Sequence, residues 1–90
     1  MSEKYRYRVL VVDDEPMAVK AVCRVVERHC PAFVVAGEAS NGKEALDKMA
    51  ECLPDVVLTD IEMPVMNGLE MAKQAKEKHP SVCFVVISGY

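Results

Sequence analysis

Asp13 and Asp14 follow the apolar run Val9-Leu10-Val11-Val12, and Asp60 follows Val56-Val57-Leu58-Thr59. If these runs are neighbouring parallel strands, the three acids converge beyond the strands' carboxyl ends, where such sheets bind their ligands. Left to themselves, converging carboxylates repel and raise one another's pKa. A hard divalent cation removes that penalty. Mg²⁺ takes oxygen ligands, keeps several waters and commonly joins carboxylates to a phosphoryl group; Mn²⁺ suits the same donors. Asp60, alone at its strand end, can also act as a nucleophile in aspartyl-phosphate chemistry. A single Asp after a strand more often caps a helix or sits in a loop. Three acids from two strand ends are what point to a metal site.

The elements that must position these acids alternate between two periods. Val9–Val12 is apolar at every position, the mark of a strand buried on both faces. Glu15-Pro16 opens a helix, because Pro is welcome at the first helical position. Ala18, Val22, Val25 and Val26 are expected to form its apolar face, with Lys20, Arg24, Glu27 and Arg28 opposite, and it ends near His29-Cys30-Pro31. Phe33–Ala36 reads as the second strand. Asn41 caps a second helix with Glu44 three residues on, a variant of the capping box; Ala45, Leu46, Met49, Ala50 and Leu53 are spaced for it, and Pro54 stops it. Val56–Thr59 is the third strand. Asn67-Gly68-Leu69-Glu70 repeats the cap pattern before a helix marked by Leu69, Ala72 and Ala75, and Val82–Ile87 is the fourth strand. The order β-α-β-α-β-α-β with short connections predicts a parallel sheet with helices on both faces.

Ninety residues allow one domain, with a core of modest size. The net charge of −3 disfavours direct nucleic-acid binding or coating of an anionic membrane. The longest apolar runs, such as Val82–Ile87, are far short of the ~20 residues a membrane span needs. The N-terminal residues lack the apolar core of a signal peptide, so a cytoplasmic location is expected. Cys23, Cys30, Cys52 and Cys83 make no C-x-x-C pair and read as reduced, mostly buried small apolar residues. His29 and His79 precede Cys-Pro and Pro at helix ends, where they serve as charge partners of the helix dipole.

Three stretches in order, Val-Leu-Val-Val-Asp13-Asp14-Glu15, Asp60-Ile-Glu-Met-Pro64-Val-Met-Asn-Gly68 and Val-Ile-Ser88-Gly, resemble the receiver domain of bacterial two-component response regulators. The resemblance runs from about Arg8 to Tyr90. It implies a flavodoxin-like parallel sheet ordered 2-1-3-4. It implies that Asp60 accepts a phosphoryl group from a phosphohistidine on a sensor histidine kinase. Asp14 and Asp60 would bind Mg²⁺ directly and Asp13 largely through water, with the backbone carbonyl of Glu62 completing the protein ligands. Ser88 would be the switch hydroxyl that bonds the phosphoryl oxygen, and Pro64 and Gly68 would shape the loop after Asp60. Met63 and Met66 are read as packing in that loop.

By the same resemblance, the fourth strand of a full receiver leads on to a fifth strand, two more helices, a Lys at the fifth strand's end and an aromatic switch residue. Their absence from residues 1–90 marks the chain as a C-terminally truncated receiver, expected to take up phosphoryl groups slowly. The ending Ile-Ser-Gly-Tyr looks most like receivers joined to AraC-type or LytTR-type DNA-binding domains, so the expected output is transcription, from a domain absent here. Residues 82–87 become an apolar edge strand without Pro or charge, a template for homo-oligomers or strand swapping. Two other readings compete with signalling. One is a non-signalling structural fragment that associates through the fourth strand. The other is a Mg²⁺-dependent phosphatase or nuclease-type enzyme, but such enzymes usually carry Asp-x-Asp on one strand end, and here the pair is adjacent. The chain is therefore not expected to be an enzyme. No G-x-x-x-x-G-K-[ST] loop is present for a nucleotide.

Overall fold

The computed structural model describes residues 6–60 and 66–87. Its elements are β1 (Tyr7–Val12), α1 (Pro16–His29), β2 (Phe33–Ala39), α2 (Gly42–Cys52), β3 (Val56–Asp60), α3 (Gly68–Lys78) and β4 (Cys83–Ile87). All strand pairs are parallel, and the sheet runs β2-β1-β3-β4. This is the expected flavodoxin-like order.

The uninterrupted apolar run of β1 follows from its place in the middle of the sheet. Its alternate residues feed two separate cores. Leu10 and Val12 join Val57, Ala45, Met49, Met71 and Ala75 beneath α2 and α3. Val9 and Val11 join Val19 and Cys23 beneath α1. One strand thus carries helices on both faces.

Several boundaries and faces differ from the sequence reading. β2 continues past Ala36 to Ala39. Its register against β1 slips between Val9 and Leu10, so that Leu10 faces Gly37 and Ala36 is the extra residue. The bulge lets β2 absorb Gly37 and Glu38, which break its apolar pattern. On α1 the buried residues are Val19, Cys23 and Val26, and Val25 is 53% exposed. So many positions of this helix are apolar that the stripe can be phased in more than one way. On α3 Met71 and Ala75 are buried, and Leu69 is 56% exposed. Leu46 is only partly buried at the edge of its core, and Ala50 is exposed.

Both Asn caps form as the sequence predicts. Asn41 Oδ1 accepts from the Glu44 N–H at 2.8 Å, and Asn67 Oδ1 from the Glu70 N–H at 2.9 Å. The return half of the first box goes one residue further back: Glu44 Oε1 accepts from both the N–H and the hydroxyl of Ser40, at 2.7 and 2.8 Å. These bonds hold the Glu44 carboxyl below its ordinary pKa. Their contribution to stability is therefore present above the ordinary value and is lost as pH falls through the lowered one.

Leu53 ends α2 in the left-handed region, with φ 47°, and its N–H bonds to the Met49 carbonyl. A Cβ makes that conformation costly by about 1 kcal/mol, and the Leu53 side chain offers little burial in return. Leu53→Gly is expected to stabilise the fold by about 0.5–1 kcal/mol, since Gly adopts this conformation without the steric cost. Urea unfolding checks it; a lower midpoint would show that the side chain holds the fold more than its exposure suggests.

The cysteines are all free. Cys23 is buried, and its Sγ donates to Glu38 Oε2 at 3.6 Å. Burial first, and then Glu38, push its pKa up to about 11, so it stays a thiol. Cys30 and Cys52 are half-buried, but Cys83 is exposed on β4, contrary to the expectation that these residues are mostly buried. β4 pairs only with β3 among the described residues, so its side chains have cover from one neighbouring strand. No helix among the described residues is long and apolar enough to cross a membrane.

Candidate metal and phosphoryl site

The two central strands deliver the acids to one end of the sheet. In register, Val12 faces Ala39 on one side and Thr59 on the other, so Asp13 and Asp60 each come next along adjacent strands. Asp13, Asp14 and Asp60 each present a carboxylate oxygen within 4.8 Å of the others. Asp14 is exposed, and Asp13 and Asp60 are half-buried.

Asp13 is the most constrained of the three. Its N–H donates to the Ala39 carbonyl at 3.1 Å, holding the end of β1 to the end of β2. Its Oδ1 accepts from the Glu15 N–H at 3.0 Å, a local turn that leads into Pro16 at the start of α1. Burial raises its pKa above the ordinary carboxylate value, and the neighbouring Asp60 and Asp14 raise it further, against the lowering effect of the Glu15 N–H. Gathering the three carboxylates therefore costs free energy at Asp13. This suits hard oxygen donors that a divalent cation would bring together.

Asp60 is the last residue of β3. Its backbone is held from within and from outside the strand. The buried Thr59 hydroxyl donates to the Asp60 carbonyl at 2.9 Å. Gly68, at the start of α3, lies directly against that same carbonyl; a Cβ there would collide with it and would reach 3.3 Å from Thr59 Oγ1. This close approach explains the glycine that follows the Asn67 cap. Asp60 is also level with Ile87 of β4 in the sheet register.

The sequence-derived set thus meets in space at Asp13, Asp14 and Asp60. The Glu62 carbonyl, Met63, Pro64 and the Ser88 hydroxyl lie outside the described residues, as does Tyr90. His29 is the last residue of α1 and His79 the C-cap of α3. Sequence reasoning passed over Gly42, which it treated only as part of a cap, and the Cys23–Glu38 contact. An acid at Glu38, between Gly37 and Ala39 in an otherwise apolar strand, was the available signal for the second.

A doubly wound parallel sheet with three clustered acids at the ends of its central strands defines the class of α/β domain to which this chain belongs. The chain belongs to the response regulator receiver domain family, whose model matches residues 9–90. It is 46% identical over 82 residues to a protein-glutamate methylesterase/protein-glutamine glutaminase of Geobacillus kaustophilus, covering 91% of this chain and 23% of that protein. It is 37% identical over 84 residues to the uncharacterized transcriptional regulatory protein YesN of Bacillus subtilis, covering 93% of this chain and again 23% of the relative. The chain therefore spans about a quarter of the length of these curated relatives. Among solved structures, the response regulator domain of CheB from Thermotoga maritima superimposes with a TM-score of 0.85 at 37% identity, covering 92% of this chain and 60% of that one.

Proposed function

We propose that this chain is the phosphoacceptor module of a two-component regulator. Asp60 takes a phosphoryl group from a phosphohistidine of a sensor histidine kinase, with Mg²⁺ held by Asp13, Asp14 and Asp60. The observation that carries the reading is the meeting of three carboxylates at one sheet end in a receiver fold. An Asp60 carboxylate oxygen attacks phosphorus, and the bond from phosphorus to the donor imidazole nitrogen breaks, leaving an aspartyl phosphate. Phosphoryl transfer is largely positioning and charge stabilisation. Bound Mg²⁺ supplies positive charge against the acids and the arriving phosphoryl oxygens. The Thr59 hydroxyl and Gly68 fix the Asp60 backbone, and the Asp13 turn fixes the neighbouring acid. The Glu62 carbonyl as a further ligand and Ser88 as the switch hydroxyl remain part of the proposal on their motif positions alone.

The proposed location is cytoplasmic. Transcription is the proposed output, in keeping with the name of the Bacillus subtilis relative. A methylesterase output is the second reading, favoured by the 46% identity to the Geobacillus kaustophilus protein. The coding sequence around these 90 residues separates the two. Self-association of the chain through residues 82–87 also remains a proposal. The exposed Val85, Val86 and Ile87 of β4 support antiparallel pairing with a second copy. Light scattering at micromolar concentration tests it, and a monomer at all concentrations refutes it.

The metal half of the reading is tested by titration. Mg²⁺ is expected to bind saturably, and Asp14→Ala to weaken it by at least about tenfold, since loss of even an outer-sphere partner costs that much at metal sites. No binding, or equal affinity in Asp14→Ala, would remove the site.

A further inference from the structure

The short stretch Met66-Asn67-Gly68 makes close contacts on two sides, each through a glycine. On one side, Gly68 rests on the Asp60 carbonyl. On the other, Gly42 in the first turn of α2 faces Met66. A Cβ at position 42 would stand 2.7 Å from the Met66 carbonyl oxygen, 2.9 Å from its Cγ and 3.0 Å from its Cβ. The stretch is therefore wedged between the N-terminus of α2 and the end of β3.

We propose that Gly42 is a positioning residue for Asp60, acting through Met66 and Gly68. The inference rests on the reading of Asp60 as the phosphoacceptor and extends it to an element that contributes no ligand. The first turn of α2 cannot retreat to make room. It is pinned by the Asn41 cap, by both Ser40 bonds to Glu44 and by the Ala45 N–H to the Asn41 carbonyl at 2.9 Å. Just behind it, Ala45 and Met49 are fully buried. The far end of the stretch is anchored too, because the Met71 N–H bonds to the Asn67 carbonyl at 3.0 Å and Met71 is fully buried. An added methyl at position 42 must therefore displace Met66, and the next contact along that path is Gly68 on Asp60. A carboxylate that has to sit with two others inside a few ångströms tolerates little of this. Misplacements near 1 Å in positioned groups cost about 10²-fold in rate.

The test compares Gly42→Ala with Gly37→Ala. A Cβ at Gly37 also meets neighbours tightly, at 3.3 Å from Leu10 Cδ1 and 3.5 Å from Cys52 Sγ, but these are side-chain atoms, and neither belongs to the acids or to the Met66–Gly68 stretch. Labelling by acetyl phosphate at saturating Mg²⁺, Mg²⁺ affinity and thermal melting are measured on each variant, on the unaltered chain and on Asp60→Asn. Gly42→Ala is expected to label about ten- to a hundredfold more slowly and to bind Mg²⁺ more weakly, while still folded at the assay temperature. Gly37→Ala is expected to keep its rate. Met66→Ala added to Gly42→Ala removes the Cγ clash but not the carbonyl one, so it should recover part of the loss. If Gly42→Ala does not fold, the double variant carries the test: an intermediate rate supports the inference. A wild-type rate in Gly42→Ala or in the double variant overturns it, as does an equal loss in Gly37→Ala or no recovery on adding Met66→Ala. Failure of the unaltered chain to label, or persistent label in Asp60→Asn, strikes the phosphoacceptor reading instead; the variants are then ranked by Mg²⁺ affinity, where equal values overturn the positioning role. Absence of Mg²⁺ binding in every variant overturns both.

Discussion

Asp60→Asn is expected to abolish covalent labelling by a small phosphodonor while leaving the chain folded. The amide keeps the shape of the side chain but is a far poorer nucleophile than a carboxylate. Removing the nucleophile of a covalent catalyst typically costs about 10⁴–10⁶-fold, which in a slow acceptor is a fall to background. No second acceptor is expected at the same site. Asp14 is exposed, and Asp13 is tied through Oδ1 to the Glu15 N–H. The fold should tolerate the change, because it removes one of the charges that raise the Asp13 pKa. The apo form of Asp60→Asn should melt no lower than the unaltered chain, and its Asp13 carboxyl should shift back toward the ordinary value. Intact-mass measurement after exposure to acetyl phosphate reads the first outcome and a thermal melt the second. Undiminished label in Asp60→Asn would mean that the chemistry lies elsewhere.

The second large effect concerns the scaffold. Leu10→Ala is expected to destabilise the chain by about 2–5 kcal/mol. Leu10 is fully buried in the middle of the sheet, in the core under α2 and α3. It faces Val57 on β3 and the bulge at Gly37 on β2. A cavity at this point cannot close easily, because three strands are fixed around it by backbone pairing. A domain of this size has total stability of the order of 5–15 kcal/mol, so the loss removes a large share. Urea unfolding followed by circular dichroism measures it. A change below about 1 kcal/mol would mean that the core relaxes around the gap, contrary to the packing of these three strands.

The parallel α/β architecture was legible from short-range, redundant signals; the strand order came from the family resemblance, and the acid cluster followed once β1 and β3 were neighbours. β1 has no polar position between Val9 and Val12, and only a central parallel strand needs that. Asp13, Asp14 and Asp60 stand directly at strand ends, so parallel pairing of β1 with β3 suffices to bring them together. The helix faces were less legible. On α1, Ala18, Val19, Ala21, Val22, Cys23, Val25 and Val26 leave almost every phase open. The buried line through Val19, Cys23 and Val26 is chosen by the sheet beneath it. The extent of β2 was hidden by a bulge, because Gly37 and Glu38 look like an ending when read locally. Least legible was the space left by absent atoms. Asn41-Gly42 and Asn67-Gly68 look alike as caps, and only the tertiary structure distinguishes what each glycine touches: the loop at Met66 in one case and the Asp60 carbonyl in the other.

Asp13, Asp14 and Asp60 are proposed to form one metal-dependent phosphoacceptor site. Peptide mapping of the chain after acetyl phosphate treatment, with and without Mg²⁺, tests it most directly. A phosphoryl group is expected on Asp60 and only when Mg²⁺ is present. Label on another residue, or label on Asp60 that forms equally well after the metal is chelated, would contradict it.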